Sequence, residues 1–210
     1  MNRKILHLKR SDPVMKSLIE GITLRAISNR RGHFEALVEA IVSQQLSVKA
    51  ADTIFARLVA LVPGKPFPTP QDFLALSPRR MRSAGLSRMK VSFIKDLARK
   101  VLDGTVDLKK IGTWTDDEVV EHLTAVKGIG TWTAEMFLIF SLGREDVFSY
   151  GDLGLRNAIK KAYNLRKPPS EQRARAIALR WKPYRSLASR YLWASLGNTP
   201  VQKKQKRKRP

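Results

Sequence analysis

The sequence contains no cysteine. Disulfides, thiolate catalysis, zinc–sulfur sites and iron–sulfur clusters are therefore excluded. Long apolar runs are also missing, since none approaches the roughly 20 residues needed to span a bilayer. The first residues, MNRKILHLKRSD, have no apolar core segment, so we expect neither a secretory signal nor a membrane partner.

Acidic residues are scarce relative to basic ones. Asp and Glu number 18 against 40 Lys and Arg, which gives a net charge of +22 and a pI near 10.8. Six of the positive charges lie in the terminal run KKQKRKRP (203–210), so most of the excess lies elsewhere in the chain. Such a field attracts polyanions and favours nucleic acid as a partner. The alternative is a solvated basic surface without a specific partner.

Strand-like alternation is absent, and apolar residues recur at helical spacing almost throughout. Ser47 and Thr115 are typical N-caps, and the run LVPGKPFPTP (61–70) predicts a loop. The pattern predicts an all-α protein whose later helices include 72–76, 78–84, 87–102, 115–123, 131–143, 153–163, 170–180 and 183–196. The chain from about Gln202 is expected to be disordered.

A glycine-bearing turn lies between two of these predicted helices. It reads Lys127-Gly128-Ile129-Gly130-Thr131. Two glycines allow the backbone to approach a partner closely, and the amides of the turn and of the next helix N-terminus suit an anion such as phosphate. This is the logic of a helix-hairpin-helix element that grips DNA phosphates without reading sequence. The alternative is a tight turn whose glycines only permit close packing.

Asp152 follows at the predicted start of another helix. One interpretation is a simple N-cap. The other is a catalytic carboxylate, because an anion stabilises the positive sugar that forms as a glycosidic bond breaks and can orient water. The two roles are compatible, since a carboxylate that accepts amide hydrogen bonds is favoured in its ionised form.

Four aromatic residues near these motifs are candidates for a base pocket, with the protein core as the alternative: Trp132, Trp193, Tyr150 and Phe148. Five basic residues flank Gly85 and either touch phosphates or form a solvated face: Arg79, Arg80, Arg82, Arg88 and Lys90. His7, His33 and His122 have no metal-binding spacing and are expected to be incidental, so we expect no metal held by side chains.

Three runs together resemble the helix-hairpin-helix (HhH-GPD) DNA glycosylase superfamily, and most of all its 3-methyladenine DNA glycosylase II type. They are FEALVEAIVSQQLSVKAADTIFARL (34–58), LTAVKGIGTWTAEMFLIFSLGREDVFSYGDLGLRNAI (123–159) and RWKPYRSLASRYLW (180–193). The likeness covers roughly residues 11–200. It implies an all-α, two-lobe fold with an interlobe cleft and no N-terminal β-domain. We expect a single helical glycosylase unit over residues 1–200, with lobes at about 33–145 and about 11–32 plus 146–200, followed by a basic disordered tail at 201–210.

The resemblance also assigns roles. Asp152 falls on the family's catalytic aspartate, and Trp193 on an aromatic residue of the base pocket. Trp132 falls where bifunctional relatives carry their lyase lysine, and Met136 where the family has a pocket tyrosine. Two further residues, Gln44 and Gln45, match the segment that enters the duplex near the lesion.

The resemblance therefore implies a monofunctional DNA glycosylase that flips alkylated purines, such as 3-methyladenine and 7-methylguanine, out of double-stranded DNA. It implies no organic or nucleotide cofactor, although family hairpins can hold a monovalent cation through backbone carbonyls. We expect a monomer that acts in the nucleoid of a bacterium or archaeon, or in a eukaryotic nucleus. The alternatives are a non-catalytic DNA-binding module and a bifunctional glycosylase/lyase for oxidised bases.

Overall fold

The computed structural model describes residues 2–27 and 32–197, and these residues form α-helices and two short 3-10 helices but no β-strand. The predicted all-α class is therefore confirmed. The helices are α1 (Arg3–Ser11), α2 (Pro13–Gly21), α3 (His33–Ser43), α4 (Val48–Val59), α5 (Pro70–Ala75), α6 (Pro78–Ser83), α7 (Arg88–Leu102), α8 (Asp116–Thr124), α9 (Thr131–Phe140), α10 (Leu153–Ala162), α11 (Glu171–Ala178) and α12 (Arg185–Ser195). Nowhere in the two described ranges is a helix long and apolar enough to cross a membrane.

The chain divides into two compact units. The central unit consists of the described residues between 27 and 143 and holds α3 to α9, whereas the terminal unit joins residues 2–26 with residues 144–197. The lobe bounds implied by the resemblance stay a prediction, and α1 begins before the second of those lobes. The predicted tail, 201–210, lies outside the described residues.

In the terminal unit, a buried carboxylate joins segments that are distant in sequence. Asp12 has no exposed surface and caps α2 by accepting hydrogen bonds from two amides of its first turn. Its Oδ2 also accepts hydrogen bonds from the Tyr163 hydroxyl (2.6 Å) and from the indole N–H of Trp181 (3.2 Å). Burial and the nearby Asp12 carboxylate raise the pKa of Tyr163 well above its usual value. The N-terminal helices are thus tied to the C-terminal part of the chain.

In the central unit, α7 packs against α3, α5 and α6. Its inner face carries the buried residues Val91, Ile94 and Leu97 at helical spacing. Lys95, on the same helix, donates a hydrogen bond to the carbonyl of Leu74 at the end of α5 (3.1 Å). Helices α8 and α9 pack on each other and form the two arms of the predicted hairpin.

Helix starts are the features that the sequence marks best. Ser47 and Thr115 both cap their helices with side-chain hydrogen bonds, as predicted, and Thr115 exchanges reciprocal bonds with Glu118 in a capping box. The helix predicted at 183–196 begins instead at Arg185, because Tyr184 has a non-helical backbone conformation with φ −121° and ψ 35°. The helix predicted at 131–143 ends earlier, at Phe140.

Candidate functional site

The turn between α8 and α9 has the tight geometry that its two glycines predict, but the glycines serve different purposes. Gly128 has a φ of +81°, and a Cβ at this position would lie 2.1 Å from the ring of Phe93 on α7. Gly130 has a φ of −99°, and a Cβ there would meet no heavy atom within 4 Å. Gly128 is therefore required by the fold, whereas the space beside Gly130 is open to a partner.

One backbone amide of the turn is hydrogen-bonded to a buried side chain. Asp96, on α7, is 5% exposed, and its Oδ2 accepts a hydrogen bond from the amide of Lys127 (2.9 Å). Oδ2 also lies 3.1 Å from the ammonium nitrogen of Lys100. Burial by itself raises the pKa of this carboxyl, but the Lys127 amide and Lys100 outweigh that effect, so the pKa lies below its usual value. An anionic Asp96 thus fixes the start of the turn.

These contacts correct the expectation that all amides of the turn are available to an anion. The Lys127 amide donates to Asp96, and the Ile129 amide donates to the carbonyl of Val126 (3.1 Å). Ile129 is also a core side chain, with 4% exposure. The anion-binding donors are therefore expected at the N-terminus of α9, where Gly130 offers no side-chain cap and Thr131 begins the helix.

Gln44 and Gln45 follow α3 and have different environments. The side-chain amide of Gln44 donates a hydrogen bond to the carbonyl of Gly128 at 2.7 Å. Gln44 therefore supports the hairpin backbone, a role that the sequence did not predict. Gln45 is exposed and adopts a left-handed backbone conformation, with a φ of +57°. Of the pair, Gln45 is the side chain that remains presented to solvent.

The predicted catalytic carboxylate lies at the N-terminus of α10. Asp152 is half-buried, and its Oδ1 accepts hydrogen bonds from the Leu155 amide (2.5 Å) and from the indole N–H of Trp193 on α12 (2.8 Å). The N-cap interpretation is confirmed. Capping is compatible with the catalytic role, which stays a prediction. Two donors on one oxygen fix the orientation of the carboxylate.

Gly154 belongs to this site and was missed in the sequence. A Cβ at Gly154 would lie 3.1 Å from Oδ1 of Asp152 and 3.6 Å from Cδ1 of Trp193. The absence of a side chain there lets the carboxylate and the indole meet. The run Gly-Asp-Leu-Gly carried the signal, but nothing in it revealed that the partner lies 41 residues further along the chain.

The other predicted pocket residues fall into two groups. In the terminal unit, Phe148 is 7% exposed and packs edge-on against Trp181, which is core packing. Tyr150 is half-buried, and the Arg156 guanidinium lies 5.3 Å from its ring centroid. In the central unit, Trp132 is 48% exposed on the first turn of α9, and Met136 is half-buried one turn later. Their predicted role in a base pocket stays a prediction.

The basic residues around Gly85 do not form one uniform surface. Arg79, Arg82 and Arg88 are exposed, as either a phosphate contact or a solvated face requires. Arg80 donates to the carbonyl of Leu61 (3.3 Å). The ammonium of Lys90 points inward and donates to two backbone carbonyls, which neither expectation included.

The histidines make separate local contacts. His7 packs edge-on against an aromatic ring, His33 Nδ1 lies 3.3 Å from Ser141 Oγ, and His122 Nδ1 lies 2.8 Å from the carbonyl of Thr105. Burial lowers the pKa of His33. Within residues 2–27 and 32–197, no group of three or more His, Asp or Glu side chains is placed to hold a metal ion.

Comparison with known proteins shows which family this chain resembles in sequence. Residues 38–183 match the model of the HhH-GPD superfamily of base excision DNA repair proteins. The chain is 37% identical over 161 residues to DNA-3-methyladenine glycosylase 1 of Schizosaccharomyces pombe, covering 76% of this chain and 71% of that protein.

Solved structures with this fold include two 3-methyladenine glycosylases. The Schizosaccharomyces pombe enzyme in complex with abasic DNA superposes with a TM-score of 0.84 at 31% identity, covering 96% of this chain and all of that chain. The Bacillus halodurans DNA-3-methyladenine glycosidase also gives 0.84, at 35% identity, covering 93% of this chain and 90% of that chain. The family match extends over both the hairpin and Asp152, and the chain belongs to the HhH-GPD superfamily of base excision DNA repair proteins.

Proposed function

We propose that this protein is a monofunctional DNA glycosylase that hydrolyses the N-glycosidic bond of alkylated purines and so initiates base excision repair. The observation that carries the proposal is the carboxylate of Asp152, held by the Leu155 amide and the Trp193 indole in a chain of the base excision family. The products are a free purine and an abasic site. The names of its relatives, which are 3-methyladenine glycosylases, support the same substrate class.

The carboxylate acts on the sugar. As the bond to the base lengthens, the deoxyribose becomes oxocarbenium-like, and an anion nearby stabilises the developing positive charge. Because Oδ1 of Asp152 accepts two hydrogen bonds, the carboxylate needs little reorganisation when that charge forms. Water then adds to the sugar carbon, and the carboxylate orients this water or takes its proton.

The leaving group explains why one carboxylate is sufficient. An alkylated purine is often already cationic, so it departs without a strong general acid. A cationic base over an aromatic face also gains about 0.5–2 kcal/mol relative to a neutral one. This gain favours damaged purines in a pocket that contains Trp193. Flipping the nucleotide costs a few kcal/mol of unstacking, which phosphate contacts must offset.

The DNA partner follows from the charge and the hairpin. A net charge of +22 attracts the duplex without regard to sequence. We propose that the N-terminus of α9 contacts a backbone phosphate, because no heavy atom lies within 4 Å of where a Cβ of Gly130 would be. The resemblance also implies a monovalent cation on backbone carbonyls of this turn, and carbonyl oxygens are suitable ligands for such an ion. A DNA affinity that is equal in potassium and in a bulky quaternary ammonium salt would argue against the cation.

A second candidate function, the bifunctional glycosylase/lyase, requires an active-site amine. The position that carries the lyase lysine in such relatives is occupied by Trp132. Borohydride reduction during turnover tests the point, because a lyase forms a Schiff base that is trapped as a covalent protein–DNA adduct. The proposal predicts no adduct, and a trapped complex would favour the alternative.

A base-release panel tests the main proposal. Duplexes that carry 3-methyladenine, 7-methylguanine, 1-methyladenine or an etheno adduct are incubated with the protein, and free base is measured. Release of at least one alkylated purine is expected. DNA binding without any release would instead identify a non-catalytic module.

Sedimentation of the protein tests the proposed monomer, and microscopy of the tagged protein tests its proposed location at the nucleoid or in the nucleus.

A further inference from the structure

Lys90 lies in the first turn of α7 and is half-buried. Its ammonium group donates hydrogen bonds to the carbonyls of Val42 and Gln44, both at 2.7 Å. Burial lowers the pKa of this lysine. A side chain with these contacts acts inside the protein rather than on a DNA phosphate.

The two carbonyls belong to the end of α3. The last carbonyls of an α-helix have no partner within the helix, and a cation near them is favourable. The chain after this helix is strained, because Gln45 has a φ of +57° without being glycine. Lys90 therefore stabilises the point at which the chain leaves α3 and turns toward α4.

The same segment reaches the hairpin. The backbone carbonyl of Gln44 accepts a hydrogen bond from Lys90. The side-chain amide of Gln44 donates a hydrogen bond to the carbonyl of Gly128 at 2.7 Å. Gly128 also faces the ring of Phe93, one turn after Lys90 on α7. The Lys127 amide is held by Asp96, a further turn along. One helix thus supports both the segment after α3 and the turn before α9.

We propose that Lys90 is a positioning residue for DNA binding: by fixing the backbone of Gln44, it aims the Gln44 amide at Gly128 and holds the hairpin in its phosphate-binding conformation. This role rests on the proposed DNA contact of the hairpin. Lys90 would therefore affect the affinity for DNA although its ammonium group does not contact a phosphate. The sequence suggested only a direct contact or a solvated face.

The two modes of action differ in their dependence on salt. A lysine that neutralises a phosphate releases counterions, so its removal lowers the slope of log affinity against log salt by about one. A lysine that acts through Gln44 and a backbone amide contributes affinity without that release. Removing Lys90 should therefore lower affinity at every salt concentration and leave the slope unchanged.

Lys95→Met is the matched control for Lys90→Met. Both lysines are half-buried on α7 and donate to carbonyls at the end of a neighbouring helix, but Lys95 serves α5 rather than the hairpin side. Each variant loses one charge, together with two carbonyl contacts in Lys90→Met and one in Lys95→Met. We expect Lys90→Met to weaken binding of an abasic duplex about fivefold, with the control close to wild type. Equal losses, or a slope reduced by one in Lys90→Met alone, would overturn the proposal.

A double-mutant cycle tests the route through Gln44. If Lys90 acts by holding Gln44, the affinity losses of Lys90→Met and Gln44→Met overlap, and the double variant binds little worse than the weaker single variant. Additive losses would contradict the proposal. Base release by the wild type is measured in the same preparation. Wild-type protein that neither binds DNA nor releases base would refute the proposed function itself, which is a different result from a failed cycle.

Discussion

At the scale of single residues, the candidate site depends on a pair of side chains that the sequence shows only as two separate signals. Asp152 was a candidate because it stands at a predicted helix start after a glycine-bearing hairpin, and the family resemblance assigned it the catalytic role. Trp193 could be assigned to the base pocket through the family resemblance. Their hydrogen bond was not predictable, because it joins α10 to α12 and no local pattern relates positions so far apart.

Trp193→Phe tests whether the indole N–H orients the carboxylate. An aromatic ring is retained for stacking, but Oδ1 of Asp152 loses the indole donor. A hydrogen bond to a charged group contributes about 1.5–3 kcal/mol, so the single-turnover rate of base release should fall about tenfold or more. Binding of an abasic duplex should change much less.

The control for this variant is Trp181→Phe. Trp181 also donates its indole N–H to a carboxylate in the same unit, but that carboxylate is the buried Asp12. Its replacement should lower the melting temperature and leave the rate per folded molecule unchanged. If Trp193→Phe behaved in the same way, the Trp193 hydrogen bond would be structural only.

The two hairpin glycines give a further pair of matched variants. Gly130→Ala fits the observed backbone and space, so the fold should persist while the added methyl group obstructs the phosphate. Gly128→Ala combines a positive φ with a collision against Phe93 and should lower the melting temperature. Binding is measured on damaged and undamaged duplexes, and Gly130→Ala should weaken both alike. Unchanged affinity for DNA in a folded Gly130→Ala protein would show that the hairpin is not part of the DNA interface.

At the scale of secondary-structure elements, the sequence predicts best where a helix begins with a polar cap. Ser47 and Thr115 mark α4 and α8 because capping is a local interaction. Helix α1 was not predicted, since four of its nine residues are basic and only Leu8 is fully buried. The role of α7 was also hidden, because Lys90 and Asp96 look like ordinary surface charges until the chain is folded.

Asp96→Asn tests the support that α7 gives to the hairpin. The pKa of Asp96 is lower in the folded protein than its usual value, so its charge stabilises the fold above about pH 4 and less as the pH falls through the folded value. The variant should therefore have a smaller free energy of unfolding than wild type at pH 7. The difference should narrow under acid conditions.

Denaturant titrations at several pH values measure this difference. Asp117→Asn removes one exposed carboxylate from α8 in the same hairpin and serves as the control, with little effect expected at any pH. A pH-independent difference between wild type and Asp96→Asn would show that the charge of Asp96 does not support the hairpin.

At the scale of the whole molecule, composition and family resemblance together predicted the fold class and the repair family. The charge of +22 favoured a polyanion as the partner but could not tell binding from catalysis. Asp12 illustrates what sequence could not supply. Its contacts with Tyr163 and Trp181 assemble one unit from the two ends of the chain, and such contacts exist only once the chain is folded.

The proposed function requires that the carboxylate of Asp152 performs the chemistry while other parts of the molecule bind DNA. Asp152→Asn isolates this claim, because asparagine caps a helix about as well as aspartate and the fold should be retained. The decisive measurement is the single-turnover rate of base release from the best alkylated duplex, alongside affinity for an abasic duplex. We predict a rate lower by about a thousandfold with affinity close to wild type. A variant that releases the base at nearly the wild-type rate would contradict the account.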